Sequence, residues 1–210
     1  MKGFITAAKG FVYDCEVLRV PGGEPESGYL CAEGWRDFDN LGISVIGVAM
    51  LGSNEVKCFV NPLWASTLSY PDFGEFQKLV YKCSSKGNKI VGFNSVSFDD
   101  LLCFHNGILV NTNYDLLQRI RLSAYGSIEF YDQPKGYSYS LDAIARANEL
   151  KKTGHGANAS KQWQDKKYLN VIQYCINDAI IARDLMRKYE KGQLVDPNND
   201  NILKPINTSF

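Results

Sequence analysis

FVYDCEVLRV, from Phe11 to Val20, is an apolar stretch rich in β-branched and aromatic residues that two acids interrupt. Its composition predicts a central β-strand. Asp14 and Glu16 stand two residues apart in it, so strand alternation points both carboxylates to one face and Cys15 to the other. Clustered carboxylates repel each other unless they share a proton or bind a cation, which makes a hard divalent metal their natural partner. The same pair on an edge strand would simply face solvent.

Downstream, residues 21–40 (PGGEPESGYLCAEGWRDFDN) are rich in Gly, Pro and acids and read as a long loop, a feature that in compact domains is often functional. LGISVIGVAML and EVKCFV flank Gly52-Ser53-Asn54, the pattern of a hairpin. Asp72, with Glu75 three residues on, resembles a capping box in front of the amphipathic helix FGEFQKLVYKCSS. KIVGFN is a short buried strand, and SFDDLLCFHNGI reads as a helix starting directly at its end, a junction where α/β folds place sites. NYDLLQRIRLSAYG fits either strand or helix, and Ser140 is the expected N-cap of LDAIARANEL. KKTGHGANASKQWQ reads as a loop, and from Lys166 to Lys191 one apolar stripe predicts a long closing helix. This organisation amounts to one domain over residues 1–191 and a loosely held polar tail over 192–210.

Composition narrows the class. The 210 residues are 45% hydrophobic and 22% charged, as in ordinary globular proteins. Lys plus Arg and Asp plus Glu each total 23, so contact with a polyanion would need a local patch. The six cysteines form no C-x-x-C pair and read as reduced thiols. Neither a signal peptide nor a membrane-length apolar run is visible, and the expectation is a cytoplasmic protein without a membrane partner.

Two further groups of residues carry chemistry. Asn94-Ser95-Val96-Ser97-Phe98-Asp99 spans the junction after KIVGF and places Asp99 in the first helical turn, where Asp100 could serve the helix dipole equally. Tyr174 and Asp178 lie four apart in the closing helix, on one face, amid apolar neighbours where an unpartnered charge is costly. D-x-E, N-x-x-x-F-D and Y-x-x-x-D thus occur in order.

That order resembles the three exonuclease motifs of the DEDD superfamily, whose fold is ribonuclease-H-like, α/β with a mixed central sheet flanked by helices. It resembles the tyrosine branch in particular, since the histidine branch would carry His where Gln173 stands. The likeness runs from about Gly10 to Lys191 and is greatest to stand-alone relatives of the family B DNA polymerase proofreading domain. Lys-Thr-Gly-His-Gly-Ala-Asn-Ala from Lys152, Trp35-x-x-Phe38 and LGISVIGVA look typical of them. Phe93 departs from the pattern, because many relatives carry His there. No polymerase region follows in the sequence, so proofreading in cis is not expected.

The resemblance implies 3′→5′ removal of nucleotides from DNA, single-stranded rather than duplex, using two divalent cations, Mg²⁺ or Mn²⁺. Asp14 would bridge both ions, Glu16 and Asp178 would bind the one that activates water, Asp99 would support the second, and Tyr174 would orient the water. Asn94 and Phe98 would contact the terminal nucleotide, or else merely end a strand and fill the core. Gly154, Gly156, Ala157 and Ala159, with Lys151, Lys152 and Lys161, would approach a phosphate, or form a plain surface loop. His105 and His155 have no motif partners. The partner implied is a nucleic-acid 3′ end, with DNA favoured and any replication or repair partner unspecified. The alternatives are an exoribonuclease of the same fold and a non-catalytic nucleic-acid-binding module.

Overall fold

The computed structural model describes residues 9–24, 26, 28–151 and 158–206. Its elements run β1 (Gly10–Val17), β2 (Val20–Pro21), β3 (Cys31–Ala32), α1 (Phe38–Leu41), β4 (Ile43–Met50), β5 (Val56–Val60), α2 (Pro62–Leu68) and α3 (Phe73–Ser84). They continue through β6 (Lys89–Gly92), α4 (Asp99–His105), β7 (Tyr114–Asp115), α5 (Leu116–Tyr125), α6 (Leu141–Ala147), α7 (Ala159–Gln164), α8 (Tyr168–Glu190), β8 (Leu194–Val195) and β9 (Ile202–Leu203). Asn61, Asp72, Asp115 and Ser140 each accept backbone N–H groups at a helix start.

The main sheet has five strands in the order β5-β4-β1-β6-β7. β4 pairs antiparallel with β1 and β5, while β6 runs parallel to β1 and β7. β1 is therefore the middle strand, and the edge reading of Asp14 and Glu16 falls away. Phe11, Tyr13, Cys15 and Val17 face a core shared with α1, α3 and α4, and Val12 faces a second core shared with α5, α6 and α8. Helices cover both faces, as in ribonuclease-H-like folds.

Four expectations change. A 3₁₀ turn over Ser95–Ser97 separates β6 from α4, so the helix does not start directly at the strand end. NYDLLQRIRLSAYG is both strand and helix, β7 running into α5. Residues 159–164 form α7, because Trp163 has an apolar pocket to fill against Trp64 and Tyr168. The segment from Gly192 is not loosely held over residues 194–203: Leu194 and Leu203 are buried in the second core, and β8 pairs with β9. Among the described residues no helix is long and apolar enough to cross a membrane.

Candidate active site

The approach of α8 to the sheet sets the site. Gly47 on β4 lies opposite Asp14 of β1 in register, and its missing side chain lets the α8 backbone at Cys175 rest on the sheet. The Gly47 N–H donates to Cys175 Sγ at 3.1 Å, and the Cys175 thiol donates to the Asp14 carbonyl at 3.3 Å. Residues on either side of Cys175 therefore meet the acidic face of β1.

Asp14, Glu16, Asp99, Tyr174 and Asp178 all line one cleft of about 580 Å³. They come from β1, α4 and α8. Glu16, Asp99 and Asp178 are each no more than 6% exposed. The Cys15 N–H donates to Asp99 Oδ1 at 3.2 Å, which ties the start of α4 to β1. Burial raises the Asp99 carboxyl to about 7, against the pull of that hydrogen bond. Burial, and then the Asp178 and Glu16 carboxylates, push the Tyr174 phenol well above its ordinary value, so it stays protonated.

Asp99 and Asp100, equivalent in sequence, part company. Asp100 accepts from the Tyr13 hydroxyl, from the Thr112 N–H at 3.0 Å and from the Thr112 hydroxyl at 2.8 Å. It serves the fold, while Asp99 faces the cleft.

Asn94 adopts φ +66°, a left-handed conformation that Asn tolerates well, and it both ends β6 and lines the cleft. Phe98 likewise belongs to core and cleft, with its ring against Phe38 at 5.6 Å and Trp35 at 5.9 Å. Lys161 is brought to the Tyr29 ring, 5.9 Å from its centroid, and does not line the cleft. Lys152 and Gly156, with Gly154, His155 and Ala157, lie outside the described residues. His105 does find a partner, the Asp39 carboxylate at 2.6 Å.

The motifs leave Asp115 unmarked, yet it shapes the site. This buried carboxylate accepts the N–H groups of Asn94 (3.1 Å), Val96 (3.1 Å), Leu117 (3.0 Å) and Gln118 (3.2 Å). It pins the 94–97 turn to the start of α5. Its only sequence signal is an acid ahead of a helical stretch.

The donor set suits a divalent cation. Among the described residues, ligand atoms of Asp14, Glu16 and Cys175 lie within 4.8 Å of one another. Burial keeps the Cys175 thiol protonated, and its hydrogen bond to the Asp14 carbonyl occupies it. The carboxylates remain, and oxygen ligands of this kind select hard cations such as Mg²⁺ or Mn²⁺.

No protein-family model matches the chain, and no curated protein matches it in sequence. Among solved structures, a family B DNA polymerase from the hyperthermophilic archaeon Pyrobaculum calidifontis matches 90% of the chain at 16% identity and a TM-score of 0.58. The chain spans 25% of that polymerase. Exonuclease I matches 89% of the chain and 45% of its own length at 14% identity, with a TM-score of 0.34. The first likeness shows the fold, a mixed central sheet flanked by helices.

Proposed function

We propose that this chain is a 3′→5′ exonuclease of the tyrosine DEDD branch, hydrolysing terminal phosphodiesters of DNA with two divalent cations. One observation carries the reading: four acids and a tyrosine, distant in sequence and matching three ordered motifs, line a single cleft. Asp14, Glu16, Asp99 and Asp178 would hold the cations. Bound there, Mg²⁺ or Mn²⁺ would lower the pKa of water and neutralise charge developing on the phosphate. Tyr174, protonated and hydrogen-bonded to Asp178 one helical turn away, would orient the attacking water through its hydroxyl and would not take its proton. Asn94 and Phe98 position the terminal nucleotide by hydrogen bonding and stacking. Lys152, Gly156 and Lys161 are assigned to the phosphates behind it by motif likeness alone.

Digestion of 5′-labelled single-stranded DNA and RNA with Mg²⁺, Mn²⁺ or EDTA tests the reading. A stepwise ladder on DNA that EDTA and Asp14→Ala abolish is the expected result. Internal fragments or EDTA-resistant cleavage would overturn it, and a ladder on RNA alone would reassign the substrate. Oligonucleotide binding with no cleavage in any metal would leave a binding module.

A further inference from the structure

Arg121, on α5, lines the same cleft as the acids, and none of the three motifs includes it. Its guanidinium carbon lies 5.5 Å from the Phe130 ring centroid. One η nitrogen donates to the Ile128 carbonyl at 3.4 Å, near the limit of such a bond, and the buried Nε has no acceptor among the described residues. A guanidinium offers five donors, so this side chain carries unused hydrogen-bonding capacity at the cleft wall. An anion is the chemistry that would use it.

An exposed aromatic ring, Phe130, lies beside that charge, and a second, Trp35, lines the same cleft. Phe130 is 69% exposed and Trp35 is 48% exposed, and both line the cleft. A flat exposed ring beside a guanidinium suits the base and phosphate of an unpaired strand. Bases stacked inside a duplex offer no free face to such rings.

Resting on the exonuclease reading, we propose that Arg121 and Phe130 form a subsite for the strand upstream of the bond to be cut. Arg121 binds a non-scissile phosphate, and Phe130 stacks on the adjoining base through the face that Arg121 leaves open. The protein thereby selects unpaired 3′ ends more than one nucleotide long.

Equilibrium binding of oligothymidylates in Ca²⁺, together with calorimetric titration of Mn²⁺, tests this. Arg121→Gln is expected to weaken binding of the hexamer roughly 10-fold and to lower the salt slope by about one, while thymidine 5′-monophosphate binds within about twofold of wild type. Phe130→Ala, at an exposed ring that the fold does not need, is expected to weaken the hexamer by about 5-fold or more. Mn²⁺ binding stays unchanged in both. Unchanged hexamer binding in both variants overturns the subsite and leaves the exonuclease reading intact. Equal losses for monophosphate and hexamer would make Arg121 a structural residue and also overturn it. A wild-type protein that binds neither Mn²⁺ nor the hexamer removes the exonuclease reading and the subsite with it.

Discussion

Gly47 on β4 presses against the main chain of Cys175 on α8: a Cβ at Gly47 would stand 2.8 Å from both the carbonyl carbon and the oxygen of Cys175. Backbone cannot give way there as a flexible side chain would. Gly47→Ala is expected to cost about 1–3 kcal/mol in denaturant unfolding. Because α8 carries Tyr174 and Asp178, cleavage should fall further than the unfolded fraction explains. A variant with unchanged stability and activity would show that α8 seats by another route.

Asp14, Glu16 and Asp178 crowd like charges around Tyr174. Neutralising one should stabilise the metal-free fold while removing a ligand. Asp178→Asn is expected to melt higher than wild type in EDTA and to lose about 10³-fold in cleavage rate. Tyr174→Phe should keep Mn²⁺ binding and lose about 10–100-fold, since only water orientation is impaired. Lower melting of Asp178→Asn in EDTA would mark that acid as structural.

The Asp99 carboxyl, raised from 3.8 to about 7 by burial, gives a pH signature. The folded state holds this proton more tightly than the unfolded chain does. Its contribution to stability is therefore complete below about pH 4 and is lost as pH rises through about 7, by up to the order of 4 kcal/mol. In EDTA the Tm should fall between pH 5 and pH 8, and the rise produced by Mn²⁺ should grow over the same interval. Asp99→Asn should flatten both trends, and a Mn²⁺ effect larger at pH 5 than at pH 8 would contradict the assignment.

Adjacent acids with opposite duties offer a clean contrast. Asp100→Ala removes the carboxylate that accepts from the Tyr13 hydroxyl and the Thr112 N–H, a loss of about 1–3 kcal/mol. Its folded fraction should cleave normally. Asp99→Asn should do the reverse, retaining stability and losing cleavage, and the two variants compared by urea titration and initial rate decide the matter.

Thiol reactivity probes the core. Cys15, Cys58, Cys83, Cys103 and Cys175 are buried, and burial pushes the Cys58 thiol up to about 12. Cys31 is partly exposed. At pH 8 an aromatic disulfide reagent should titrate one thiol in the native protein and six after unfolding, and Cys31→Ser should abolish the fast phase. Fast labelling of two or more native thiols would indicate an open second face.

Much of this molecule is written locally. The alternation in β1, the hairpin of β4 and β5, the cap at Asp72 and the stripe of α8 each follow from neighbouring residues, and so does the spacing of the motif acids. What stayed hidden depends on distant partners. Asp115 gains its role only when the 94–97 turn folds back onto it, and Arg121 matters only because α5 is brought to the acids. Trp163 makes a helix of a polar stretch only because Trp64 lies across from it. Asp99 and Asp100 could be separated only once Tyr13 and Thr112 claimed the second.

The segment beyond Gly192 ends up braced against the cleft. Asp196 accepts from the Tyr139 hydroxyl at 3.0 Å, Asn198 accepts from the Ser138 N–H at 2.8 Å, and both Ser138 and Tyr139 line the cavity. Residues 194–198 act as a buttress for the wall on which an incoming strand would lean. Trimming the chain after Gly192 would let that wall sag and would also empty the places that Leu194 and Leu203 fill against α8, so this end of the chain is part of the framework rather than a polar appendage.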